Sequence, residues 1–266
     1  MKKSFDFLEL KSNKKFCSGF PTLLHKELLR FWKVSFQTVA APVLTALLYL
    51  VVFSQISPER IIFQKISYIA FLSPGLIMMS ILQNSFANSS SSLIQSKITG
   101  NLVFMLLPPL SYQEIFTAYL LASSIRGLIV GFFVWLISII FIDLPFHHPF
   151  LIILFAIISS AIMGIIGIVA GLWAEKFDQL SLFQNFIIMP ATFLSGVFYS
   201  FQSLSPFWQK ILLWNPIFYA IDGFRYAFFS ESDISPWNSL FVVVGTFFIL
   251  SIFTLRLLSY GYKLKG

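Results

Sequence analysis

The sequence predicts an all-α membrane protein: six transmembrane helices with an N-terminal interfacial amphipathic helix, a short cytosolic helix, and short outer re-entrant or interfacial helices. Three observations carry this. Of 266 residues, 57% are apolar and only 11% charged, whereas soluble domains carry roughly a quarter charged residues. Six long apolar runs recur, each near the roughly 20 residues that span a hydrocarbon core about 30 Å thick. The positive charges of the connectors fall mostly on one side. The runs are continuous, not alternating, so helices that satisfy their own backbone in lipid are expected and a β-barrel is disfavoured.

The spans read as Phe36 to Gln55, Ile66 to Phe86, Tyr112 to Ile142, Pro149 to Ala174, Leu180 to Tyr199 and Trp237 to Leu258. Residues 1 to 35 are polar and basic, and the first apolar run is too long for a signal peptide and lacks a small-residue cleavage site after it, so the first helix is expected to stay. Cys17 is the only cysteine, which excludes an intramolecular disulfide. With six spans both termini share a side. That side holds Lys2, Lys3, Lys11, Lys14, Lys15, Lys26, Arg30, Lys33, Lys97, Lys176, Arg256, Lys263 and Lys265, against Arg60, Lys65, Lys210 and Arg225 opposite. The excess of Lys and Arg places both termini in the cytoplasm. The net charge of +7 is spread along these connectors, which suits anionic headgroups and not nucleic acid.

Three connectors are more than linkers. Thr22 to Lys33 sets Lys26, Arg30 and Lys33 on one stripe and Leu24, Leu28 and Phe31 on the other, the pattern of a helix lying on the inner leaflet; a plain charged flank is the alternative. Between spans two and three, Ser85, Asn88, Ser89 to Ser92, Gln95, Ser96 and Lys97 precede Gly100, Pro108 and Pro109. A short cytosolic helix broken at Gly100 is expected, docked by Leu93, Ile94, Ile98 and Leu102; a serine-rich loop is the other reading. After span five, Ser205-Pro206 and Asn215-Pro216 each open a short outer helix. Phe207, Trp208, Trp214, Phe218, Tyr219 and Tyr226 would sit at headgroup depth. Asp222 and Arg225, one turn apart, form either a local surface pair of little worth or a functional group.

The chemistry of an engine is missing from the sequence. It has no Gly-x-x-x-x-Gly-Lys-Ser/Thr loop to cradle a nucleotide phosphate. No span contains a histidine, and no base stands beside the many serines, so catalytic, metal and cofactor sites are not expected. His147 and His148 in a short outer loop read as exposed loop residues, with adventitious metal binding as the lesser reading. A passive channel would need a filter or a ring of charges, and none is visible.

The basic helix before span one, Ala41-Pro42 to Leu50, Ser73-Pro74-Gly75, Lys97 with Gly100, Leu194-Ser195-Gly196-Val197-Phe198-Tyr199, and Asn215-Pro216 through Gly223-Phe224-Arg225 together resemble the type-2 permeases of ATP-binding-cassette (ABC) exporters. The ordered pair formed by the Leu-Ser-Gly-Val segment and the Asn-Pro to Arg225 segment is the most specific part. The resemblance runs from about residue 20 to the end, making 20–266 the transmembrane domain and 1–19 a basic cytosolic extension. It implies a half-transporter that pairs with a second copy, most simply as a homodimer, and with two ATPase subunits that bind ATP and Mg. The surface helix Thr22 to Lys33 and the coupling helix Ser89 to Phe104 would meet the ATPase, making Glu27, Arg30, Lys97 and Gly100 coupling candidates. Asn215, Pro216, Asp222 and Arg225 would belong to an outer gate.

Within the spans, Arg126 either snorkels to the inner interface or stands as a buried charge facing the interior. Glu114 is expected in a protruding cytosolic end, against the ATPase or the inner basic residues. Gly127 with Gly131 and Gly167 with Gly171 suggest close packing of spans three and four. Pro74 and Pro190 should kink spans two and five, so that Pro74, Phe193 and Ser195 become path candidates. The 33 Phe residues mainly face lipid or, as the alternative, line an apolar route. The expected function is that of an ABC exporter permease in a bacterial inner membrane, moving a lipid, lipid-linked glycan or drug outward. A non-transporting scaffold is the alternative.

Overall fold

The computed structural model describes residues 19–56, 61–62, 66–102 and 110–261. The expected basic extension, Cys17, Arg60, Lys65 and the two prolines at 108 and 109 lie outside them. The elements are α1 (Phe20–Lys33), α2 (Ser35–Ile56), a two-residue antiparallel pair β1 (Ile61–Ile62) and β2 (Ile66–Ser67), α3 (Tyr68–Ile98), α4 (Tyr112–Phe141), α5 (Pro149–Trp173), α6 (Phe177–Phe183), a π turn (Gln184–Ile188), α7 (Met189–Phe193), α8 (Pro206–Leu213), α9 (Pro216–Phe229) and α10 (Pro236–Ser259). Five helices, α2, α3, α4, α5 and α10, are long and apolar enough to cross a bilayer.

The least apolar of these five is the centre of the molecule. In α3, 89% of the most apolar window is buried, against 11% in α2 and 17% in α10. Small side chains explain why. A Cβ on Gly127 or Gly131 of α4 would run into Ser85 or Ile81, and one on Gly167 or Gly171 of α5 into Phe86, Ser90 or Leu93. The two glycine pairs therefore both clasp α3, and do not pair spans three and four with each other as expected. Close backbone approach is what small residues give a membrane interface. Several hydroxyls of α3 bond within their own helix: Ser80 donates to Leu76 O at 2.9 Å and Ser90 to Phe86 O at 2.7 Å.

The second span also runs further than expected. Instead of ending near Phe86 before a separate cytosolic helix, α3 continues unbroken to Ile98 with Ser89, Ser90, Ser92 and Leu93 buried. Gly100 then stops it, as expected, in a left-handed conformation (φ +70°) that only glycine adopts without strain. Helical backbone resumes at Asn101 and leaves the described residues after Leu102.

Span five differs most. The apolar stretch 180–199 is not one helix: Met189 donates to Gln184 O, five residues back, and regular helix ends at Phe193 before a turn centred on Gly196 (φ +75°). Pro190 supplies the cause, because it lacks an N–H and its ring collides with the carbonyl four residues earlier; the π turn accommodates it. At the N-terminal end of α4, Ser111 and Glu114 form a capping box, with Glu114 N to Ser111 Oγ at 3.2 Å and Ser111 N to Glu114 Oε2 at 2.8 Å. Glu114 thus serves its own helix start.

Candidate functional site

Two polar clusters stand out from the apolar body, one at each end of α3. The first begins on α1, which rests on α4 through the buried stripe Leu23, Glu27 and Phe31. The amphipathic reading of α1 holds, with one change: Glu27 lies on the buried face and is fully covered. It pairs with Arg30 at 3.3 Å and with Lys26 at 3.4 Å. Arg30 then reaches α3, donating through Nη2 to Asn88 O at 2.7 Å and Asn88 Oδ1 at 3.0 Å, and through Nη1 to Ser91 Oγ at 3.2 Å. From the other side Arg126 of α4 approaches the same Asn88 Oδ1 and also Asn84 Oδ1, both at 3.5 Å. Arg126 therefore turns toward α3, not outward to a headgroup.

The remaining coupling candidates lie beside this cluster. Lys97 Nζ donates to the backbone carbonyls of Leu172 and, at 3.1 Å, Ala174. These are orphan acceptors at the end of α5, where a cation is favoured by the helix dipole. Lys97 thus ties α5 to the C-terminal end of α3. A Cβ on Gly100 would meet nothing within 4 Å, so its requirement is conformational. A groove of about 450 Å³ opens between α1 and α3, bordered by His25, Lys26, Arg30, Lys33, Gln95 and Thr99. Its rim is cationic and faces away from the helical core.

The second cluster, at the N-terminal end of α3, is built on α9. Asn215 caps it, accepting from Ile217 N at 3.1 Å, and its Nδ2 donates to Ala191 O at 2.6 Å. Pro216 follows as the first helical residue. This fastens the start of α9 to α7. Asp222 and Arg225 are both buried, which corrects the surface-pair reading. Asp222 accepts from Asp233 N at 2.9 Å and Ile234 N at 3.1 Å, while Arg225 Nη2 donates to Gly196 O at 2.8 Å. The guanidinium carbon of Arg225 lies 3.7 Å from the Phe71 ring centroid, a cation–π contact in a desolvated site. Asp233 in turn accepts from Ser200 Oγ at 2.9 Å and Phe201 N at 3.1 Å, and Tyr68 Oη donates to Phe198 O at 3.0 Å. The turn after span five is thereby pinned from α3, from α9 and from the loop before α10. His147 and His148 do related work, with His147 Nδ1 2.6 Å from Phe228 O and the His148 ring stacked on Tyr226 at 5.3 Å. Ser230, in a left-handed conformation (φ 58°), ends α9 beside them. No group of three or more metal-ligating side chains gathers among the described residues.

The path candidates separate. Pro74 is buried in α3, and the adjacent Gly75 faces Val197, whose backbone would lie 3.1 Å from an added Cβ. Span two and the end of span five therefore do meet, inside one chain. Ser195 is fully buried and donates to Thr192 O, so it lines no open surface. Phe193 is partly exposed and stacks on Phe198 at 5.6 Å, which contacts Tyr49 of α2 at 5.4 Å. An almost wholly apolar cleft of about 180 Å³ lies between α3, α5, α7 and α9, lined by Leu82, Met163, Ile187, Ala191, Pro216 and Ala220.

Asn84, Asp233 and Tyr68 escaped the sequence reading. For Asn84 a signal existed: it stands four residues before Asn88, so both amides share one face of the helix.

The profile of the family described as ABC-2 type transporter matches residues 19–229. The inner membrane transport permease YadH of Escherichia coli (strain K12) is 36% identical over 229 residues, covering 86% of this chain and 87% of that protein. The proteins of the same name from Escherichia coli O157:H7 and Shigella flexneri align to the same extent.

Proposed function

The chain belongs to the ABC-2 type transporter family as a permease subunit, and on that basis we propose that it forms the membrane half of an ATP-driven exporter. Two copies pair as a homodimer, two separate ATPase subunits supply ATP and Mg chemistry from the cytosol, and a hydrophobic or amphipathic compound moves outward by alternating access. The helical stretch 177–193, about 25 Å long at about 1.5 Å per residue, serves as the sixth crossing. Both termini then lie in the cytoplasm and the chain sits in a bacterial inner membrane, in keeping with the charge distribution.

The observation that carries this reading is the cationic groove between α1 and the inner end of α3. Its position supports an acidic protein partner docking from the cytosol. The same helix α3 runs on to Pro74 and Gly75 beneath the pinned outer turn. A push at the inner end of a rigid helix about 46 Å long would be felt at the outer end, the requirement for coupling an ATPase to an exit. Movement of the tight outer turn, more than of any flexible loop, would open the path.

The test uses the tagged full chain co-expressed with its candidate ABC ATPase. The ATPase should co-purify, hydrolyse ATP in a manner that depends on this chain, and lose association several-fold in the Lys26→Glu/Lys33→Glu double variant. Normal association of the double variant removes the groove as the contact. Failure of any ABC ATPase to associate with the unmodified chain removes the exporter reading.

A further inference from the structure

We propose that Arg126, Arg30 and the amides of Gln83 and Asn88 form a binding site for the phosphate of an anionic amphiphile at the depth of the inner leaflet. This deepens the exporter reading by naming the part of the cargo that is recognised.

Charge is the first ground. The carboxylate of this cluster, Glu27, is already paired with Lys26 and Arg30. Among the described residues Arg126 has no carboxylate partner. Its two hydrogen bonds, both 3.5 Å, go to neutral amides and are too long to compensate a guanidinium. It shares Asn88 Oδ1 with Arg30, which brings two like charges together. Such an arrangement in a membrane segment calls for an anion.

Hydrogen-bond accounting is the second ground. Arg126 Nε, Asn88 Nδ2 and Gln83 Nε2 are buried and lack a partner. All three are donors. Asn88 cannot trade its amide ends, since its oxygen already accepts from both arginines. A group rich in acceptors with none to donate fits this vacancy in the bonding, and phosphate is such a group.

Access is the third. Gln83, Ala87 and Ser91, at i, i+4 and i+8, keep the adjacent stripe of α3 partly exposed while its other faces are buried. Arg30 comes from the interfacial helix α1, whereas Arg126 lies about 21 Å along α4 from its inner end. A headgroup entering from the inner leaflet would meet Arg30 first and Arg126 next, its acyl chains remaining in lipid. The phosphate would draw the Arg126 Nη groups from their long amide contacts to its own oxygens.

The purified full chain, held in nanodiscs or detergent, is titrated with phosphatidylglycerol, phosphatidylcholine and inorganic phosphate, and binding is read by native mass spectrometry and by the apparent melting midpoint. Phosphatidylglycerol should bind preferentially, Arg126→Gln should weaken it about tenfold or more, and Arg126→Lys, which keeps the charge but loses the fork, should fall between. Gln83→Ala leaves the charges in place and should weaken binding less. Inorganic phosphate binding with the same dependence on Arg126 assigns the site to free anions instead of headgroups. Equal binding of the two lipids, or an unchanged preference in a monodisperse Arg126→Gln protein, overturns the site. None of these readouts needs an ATPase, so a failed site and a failed exporter reading are told apart.

Discussion

Replacing Gly167 by Ala tests the packing that makes α3 the centre of the molecule. The added Cβ would lie 2.5 Å from the carbonyl oxygen of Phe86 and 3.1 Å from Ser89 Cβ. Carbon-to-oxygen contacts of this kind settle near about 3.3 Å or more, so α3 and α5 would have to part by roughly 0.8 Å. The obstacle is backbone and cannot rotate away. Overpacking of this sort costs about 1–3 kcal/mol, opposed by the better helix propensity of Ala, about 1 kcal/mol in water. Gly245→Ala isolates the opposing term, since a Cβ there meets nothing within 4 Å. The difference between the two variants is therefore the clash alone, about 1–3 kcal/mol, or about 2–12 °C in apparent melting midpoint. Gel filtration of aliquots heated under one fixed protocol measures it, the fixed protocol being needed because such unfolding is often irreversible. Gly167→Ala melting at or above Gly245→Ala would refute the close α3–α5 contact.

Two further outcomes are expected. Asp222→Ala removes the acceptor for two backbone N–H groups, those of Asp233 and Ile234, at about 1–3 kcal/mol for each donor left unpaired; its melting midpoint should fall below that of Asp222→Asn, which keeps one acceptor, and identical midpoints for Asn and wild type would remove the two-point role. In a Cys17→Ser background, a membrane-impermeant thiol reagent applied to intact cells should label a cysteine at Ser203 but not at Thr99 or Asp178, all three exposed positions, whereas Ser96 is buried and would resist labelling from either side; labelling at Thr99 would overturn the orientation, and labelling at both Asp178 and Ser203 the crossing by residues 177–193.

The legible parts of the fold are those written in contiguous residues. The expected Phe36 to Gln55 became Ser35–Ile56, and Pro149 to Ala174 became Pro149–Trp173, because a continuous apolar run bounded by polar residues or proline declares its own ends. The basic stripe of α1 and the stops at Gly100 and Asn215-Pro216 were readable for the same reason. The serines of 89–92 misled: in isolation they look cytosolic, and only the glycines of α5, Gly167 beside Ser89 and Gly171 beside Ser90, brought alongside from far along the chain, make their burial favourable. Of the candidate site residues, Arg30 and Arg225 were found by type, yet their partners Asn88 and Gly196 lie 58 and 29 residues distant, and Glu27 showed only in the structure that it faces inward.

Composition and local order determined by themselves that this chain lives in lipid and where most of its helices begin and end, since transfer from water to hydrocarbon is summed over neighbouring residues. The tertiary structure alone decided which helix is central, that span five breaks at Pro190 into a π turn, and which buried charges find partners. Those outcomes depend on contacts between segments far apart in the chain, where one missing Cβ or one carbonyl oxygen determines whether a polar helix is expelled to water or held in the core.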